Sequence, residues 1–213
     1  NSLMIENLKE TNKALIEHAF KRKDEIHEAS VDYRQVVSDN IFEIIKLLQV
    51  DMNASRVSIL ELHNSNENFG GLGFVGYDMK YERQKIGVTP IGSKVHNCDY
   101  AQIHWIVKQV NSNNRNVFSM NEKDLSVLWD KAPVLFDDLV NNIGVKHIIY
   151  AGIYDYGTSK IIGLLCIEYH HEISEERSKE YAEKTVGYAT RLSQLLTFPP
   201  NYKIGDNIET IQT

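Results

Sequence analysis

Two cysteines, Cys98 and Cys166, are too few in 213 residues for a disulfide framework, and Cys166 sits in a buried-strand pattern where an inert packed thiol is usual. A reducing, cytoplasmic setting is therefore expected. Long apolar runs are absent as well: none approaches the ~20 residues that a bilayer-crossing helix needs. Basic clusters are equally scarce. The formal charge is −6, with both signs mixed along the chain, and the run Lys21-Arg22-Lys23 leads straight into Asp24 and Glu25. That pattern is a solvated helix face, and it argues against a nucleic-acid partner, which needs clustered Lys and Arg. No secretory signal opens the chain. It starts at Asn1, so a segment upstream is expected, a membrane tether being one form it could take.

Helix breakers are missing over one long stretch. Leu3 to Val50 holds neither Gly nor Pro, and a seven-residue repeat runs through it. Ile5, Asn12, Ala19, Ile26 and Tyr33 fall in one seam position, Leu8, Leu15, Arg22, Ala29 and Val36 in the other. Residues 1–37 are thus expected to form a coiled-coil-like helix that joins two copies into a homodimer. After Val36 the stripe widens to Val37, Ile41, Ile44, Ile45 and Leu48, the width that suits packing on a sheet. Ser38 and Asp39 either cap a new helix or lie within a continuous one.

The most specific stretch is Ala54 to Arg83. A strand with Val57, Ile59, Glu61 and His63 on one face and Ser58, Leu60 and Leu62 on the other leads into an Asn- and Gly-rich loop, Asn64 to Gly73. A second strand, Phe74 to Glu82, alternates Val75, Tyr77, Met79 and Tyr81 against Gly76, Asp78, Lys80 and Glu82. Both faces of the first strand are largely apolar, so it belongs inside a sheet covered on both sides, with Glu61 and His63 at the edge of a pocket.

Further on, Gly87 to Cys98 reads as a crossing loop and Asp99 caps a helix to Asn111. An edge strand at Asn116 to Met120 and two short helices, Lys123–Trp129 and Pro133–Asn142, follow. Val145 to Tyr156 and Lys160 to His170 form a hairpin, and a last amphipathic helix runs from Ser174 to about Phe198, where Pro199-Pro200 stops it. Residues 199–213 are expected to be a loose tail. The order implies an α+β fold, an antiparallel sheet with its first and last helices on one face.

Residues 38–198 resemble a GAF domain, one of the small sensory domains related to PAS. The resemblance rests on the opening helix into ASRVSILEL, the hairpin GVKHIIYAGIYDYGTSKIIGLLCIEYH and the closing helix. The string LELHN followed by GLGF and MKYE is also similar to uncharacterised GAF-like proteins of bacteriophages and bacteria. The resemblance implies a ligand pocket between the sheet and the front helices, lined from Glu61, His63, Phe74, Tyr77, Met79, Trp105, Trp129, Tyr150 and Tyr154. It does not name a cofactor. The chain lacks the NKFDE string of cyclic-nucleotide sites and a cysteine in a bilin-attachment context. His63, Asp78, Glu82, His96 and Cys98 have no metal-ligand spacing, so no metal is expected, and no nucleophile with a spaced base marks an enzyme. The resulting expectation is a non-catalytic binding module, dimeric through its first helix, with a small polar ligand. The alternative is a phage structural or membrane-tethered interaction protein, ligand-free, with a phage or host protein as partner.

Overall fold

The computed structural model describes residues 2–63 and 76–206, with side chains from residue 9 onward. The loop expected at Asn64–Gly73, and with it Phe74, lies outside the described residues. The chain divides into two compact units, Asn1–Asp39 with Phe198–Thr213, and Asn40–Thr197.

Helix α1 is unbroken over Ser2–Asp51. No new helix starts at Ser38, because its hydroxyl turns back to donate to the Arg34 carbonyl at 2.6 Å, four residues earlier, instead of capping. In the first unit, Leu15, Ile16, Phe20 and Ile26 of α1 are exposed. Tyr33 is buried there, its ring edge-on to Phe198 at 5.7 Å and to Tyr202 at 5.2 Å. The Tyr202 hydroxyl donates to Asp32 Oδ2, as does the Gly205 N–H at 3.2 Å. Residues 201–206 are therefore fastened within the stretch expected to be a loose tail: the Tyr202 ring has an aromatic partner and its hydroxyl an acceptor.

The second unit holds a six-stranded antiparallel sheet, β1 (Arg56–His63), β2 (Gly76–Gln84), β3 (Cys98–Asp99), β4 (Val117–Asn121), β5 (His147–Tyr154) and β6 (Ile161–Tyr169), in spatial order β3-β2-β1-β6-β5-β4. β1 is central and hydrophobic on both faces, as its sequence requires. Its front face carries Leu60 and Leu62, which join Tyr77, Met120, Ile148, Tyr150, Leu164 and Cys166 in one core. Helix α2 (His104–Ser112) closes that core with Ile106, Val107 and Val110. Short helices α3 (Glu122–Leu125), α4 (Leu128–Lys131) and α5 (Pro133–Phe136) and a π-helical turn, Asp137–Asn142, add Leu125, Leu128 and Leu139. A 3₁₀ turn, Tyr100–Gln102, precedes α2; the Asp99 carboxylate caps it by accepting from the Ala101 N–H at 2.8 Å.

The back face carries Val57, Ile59, Ile149, Ile153, Leu165 and Ile167, all buried. Helix α6 (Glu175–Leu196) packs there against β5 and β4, and the end of α1 lies on the same face, where Phe42 meets Tyr81 edge-on at 5.2 Å. Lys184 of α6 reaches Asp51 at 3.4 Å. First and last helices thus share one face of the sheet, as the alternating patterns imply.

One irregularity decides which side chains meet. Between Ile59 and Leu60 the pairing with β2 shifts from Tyr81 to Met79, so Lys80 is an extra residue. A bulge of this kind reverses the alternation of the strand beyond it. Tyr81 therefore faces the back with Ile59, while Tyr77 and Met79 face the front, and the single stripe expected for Tyr77, Met79 and Tyr81 is divided between the two faces. The same shift turns Glu82 to the front, opposite Ser58.

Candidate functional site

On the front of the sheet, between the strap at residues 85–97 and the π-helical turn, lies a cleft of about 570 Å³. Val88, Ile91, Val95 and Ile143 give it apolar walls, and Tyr77, Thr89, Lys94, Cys98, Asp138 and Asn142 supply polar groups. Arg56 and His170 close its inner end. The size and the mixture suit a small organic ligand with a few polar groups.

Arg56 is the organising residue, and only 1% of its surface is exposed. It opens β1 on the front face, in line with Ser58, Leu60 and Leu62, and directly opposite Glu168 of β6. Its Nη1 pairs with Glu168 Oε2, its Nη2 donates to the Thr89 carbonyl at 2.7 Å, and its Nε stands 2.9 Å from Glu82 Oε1, an ion-pair distance without a hydrogen bond's alignment. A buried guanidinium persists only when paired in this way. Glu168 is itself buried, and burial pushes its carboxyl above the ordinary carboxylate range, with Arg56 opposing. Glu82 does more than balance charge. Its carboxylate accepts the N–H groups of Ile91 at 2.9 Å and Gly92 at 2.8 Å, which ties the strap to β2. Gly92 allows that approach without a shift: a Cβ there would stand 3.0 Å from Glu82 Oε2, and the carboxylate would have to give by a few tenths of an ångström.

Tyr77, Cys98 and His170, by contrast, are each shifted toward the neutral form. The Tyr77 hydroxyl donates to Gln102 Oε1 at 3.1 Å, and burial holds its pKa well above the usual value. Burial also pushes the Cys98 thiol up, so it is not a ready nucleophile. His170 is pushed down, first by burial and then by Arg56, which favours neutral imidazole beside the guanidinium.

Two further polar clusters lie elsewhere. Asp78 faces the back with Glu61 and gathers Lys80 Nζ at 2.8 Å, His96 Nδ1 at 2.9 Å, His63 Nε2 at 3.6 Å and the Asn97 N–H. Burial alone would raise its pKa, but the Asn97 and Lys80 contacts outweigh it and hold the group at about 2. With Lys80 on one oxygen, this carboxylate is already occupied, and no group of three or more metal-ligating side chains is found among the described residues. At the other edge, His147 Nε2 lies 2.9 Å from Ser119 Oγ and 3.0 Å from Ser178 Oγ, which are 3.0 Å from each other. This knot binds α6 to β4 and β5. Burial lowers the His147 pKa to about 4, so the imidazole is neutral. It borders a smaller, 350 Å³ depression whose Lys146 and Glu122 pair with each other.

The pocket residues expected from the sequence disperse. Tyr77 lines the cleft. Met79 and Trp105 pack against the front core, Trp105 edge-on to Phe118 at 5.6 Å, and Tyr150 is buried within it. Tyr154 leans over Gly152, its hydroxyl donating to Asn111 Oδ1 at 2.8 Å. Trp129 is exposed on α4, edge-on to Phe136. Glu61 and His63 occupy the face of β1 opposite the cleft, with Asp78 and Gly76. Sequence reasoning passed over Arg56 and Glu168, and it weighed Glu82 only as a metal ligand or an acid/base partner of Glu61, not as a partner of Arg56. An arginine opening a largely apolar strand was a readable signal for a buried charge seeking partners.

No family model matches the sequence, and no curated protein matches it. Solved structures do resemble it. The bacteriophytochrome RpBphP3 from the photosynthetic bacterium R. palustris superposes with a TM-score of 0.50 at 11% identity, over 81% of this chain and 37% of that one. The PixJ GAF domain of Thermosynechococcus elongatus gives 0.49 at 12%, over 80% and 88%. The phycoerythrobilin-bound GAF domain of a cyanobacterial phytochrome gives 0.48 at 14%, over 81% and 95%. Identities this low speak to fold alone. With its six antiparallel strands in the order above, its long first helix and its closing helix on the back, the chain has a GAF-like α+β fold.

Proposed function

We propose that this chain is a non-catalytic GAF-like binding module that takes a small polar ligand in its front cleft and dimerises through α1. The observation that carries the reading is the cleft itself, about 570 Å³ with apolar walls and a few fixed polar groups at its end. Its charged residues support binding over catalysis. Arg56 and Glu82 are engaged with each other and with the strap, Glu168 is engaged with Arg56, and the Cys98 thiol is raised. The serine–histidine knot supports the same reading, since it lies on the opposite face and fastens a helix. Exposed Leu15, Ile16, Phe20 and Ile26 on α1 support the dimer, because a helix in water hides such a stripe by pairing.

Native mass spectrometry of the gently purified protein tests both parts. The expected spectrum is a dimer carrying one small molecule per chain, which denaturation releases. Replacing Leu15 and Ile26 together with Lys is expected to yield monomers that keep the molecule. A dimer free of any small molecule, found at fixed stoichiometry with a phage or host protein, would instead favour the interaction-protein reading, for which the same exposed stripe is the motive.

A further inference from the structure

The strap over the cleft has an unusual attachment. It leaves β2 at Lys85, whose N–H donates to the Ser55 carbonyl at 2.9 Å, and it returns at Val95, whose carbonyl accepts the Met79 N–H at 2.9 Å. Between these points, side chains fasten it at three carbonyl or amide groups: Thr89 by Arg56, and Ile91 and Gly92 by Glu82. Gly87 at φ +88° and Asn97 at φ +51° stand near its two ends, left-handed positions where a loop readily changes direction. Glu82 itself does not line the cleft, whereas Val88, Ile91 and Val95 of the strap do.

We infer that the strap at residues 85–97 is the gate of the cleft and that Glu82 is its catch, a positioning residue that controls access without touching the occupant. The carboxylate holds two consecutive N–H groups and is itself held by Arg56, so releasing it frees the strap at Ile91 and Gly92, while Thr89 stays on Arg56 and the backbone bonds at both ends remain. Charge-assisted bonds of this kind are the strong ones in such a segment, and their loss opens a loop locally before the fold as a whole yields. The purpose of a gate rests on the binding reading above, but its existence does not, and the test needs no ligand.

The protein carries its own reporters. Cys98 lines the cleft and is partly exposed, while Cys166 is buried in the front core. Thiol labelling with DTNB in the folded protein therefore reads gate opening at Cys98 and opening of the whole fold at Cys166. In Glu82→Ala, labelling of Cys98 is expected to rise about tenfold, the scale of a lost charge-assisted bond pair, with Cys166 unchanged. Glu82→Gln, which keeps one acceptor oxygen but loses the charge, is expected to fall between that variant and wild type, and it serves alone should Glu82→Ala fail to fold. Unchanged Cys98 labelling, or equal acceleration at both cysteines, would overturn the gate. Failure to find a bound molecule by mass spectrometry would overturn the binding reading and leave this result standing.

Discussion

The two faces of the sheet handle buried polarity in different ways. On the front, the charged trio Arg56, Glu82 and Glu168 meets a loop and a cleft. On the back, the neutral trio Ser119, His147 and Ser178 joins strands to a helix, with no charge for any partner to balance. A helix packed on a sheet is held mainly by apolar area and needs a few directional bonds to fix its position. A loop spanning a cleft has little apolar area to bury and needs stronger, charge-assisted ties. The charged trio therefore goes with a cleft and its loop and the neutral trio with a packed helix; the charged Asp78 on the back face fits the same rule, because it too holds that loop, through the Asn97 N–H.

The comparison breaks most severely at Arg56. Arg56→Met leaves Glu168 buried and the half-buried Glu82 without their cation, and a loss of about 3–5 kcal/mol is expected by urea unfolding. A loss below about 1 kcal/mol would mean that the trio is solvated and the front no different from the back. His147→Ala is expected to cost less, about 1–3 kcal/mol, since it removes two neutral hydrogen bonds and some packing.

The pH dependence sharpens the contrast. His147 binds its proton at about 4 in the fold against an ordinary 6.5, so the unfolded chain holds more protons between those values. Its contribution is fully present above pH 6.5 and is lost as the pH falls to about 4. His170, also held low, acts in the same direction. His147→Ala should accordingly flatten part of the fall in melting temperature across that window, and an unchanged slope would contradict a neutral buried imidazole. Asp78 gives the smallest effect and a separate window. Held at about 2 from an ordinary 3.8, it stabilises fully above 3.8 and loses its contribution as the pH falls toward 2. Asp78→Asn should make acid unfolding shallower only there.

Much of the fold was legible because period and punctuation agree. The alternation of β1 and the hairpin, Pro133 at a helix start and Ser174 at the cap of α6 all sit where local chemistry puts them. The site was less legible, for two physical reasons. A bulge one residue long, at Lys80, has no signature in the strand's composition, yet it reverses which of Tyr77 and Tyr81 faces the cleft. The carboxylate partners of Arg56 lie 26 and 112 residues away, and such contacts are set by sheet register, which local pattern does not specify. Glu61 and His63 attracted notice as polar residues in an apolar strand, but their parity places them behind the sheet.

The central claim is that the front face binds and the back face packs. Backbone amide NMR of the protein titrated with a metabolite extract tests it most directly. Shifts confined to Thr89, Val95, Cys98, Asn142 and His170, with Glu61, His63 and Asp78 still, are the predicted result. Shifts confined to Glu61, His63, Gly76 and Asp78, with the cleft residues unmoved, would contradict it.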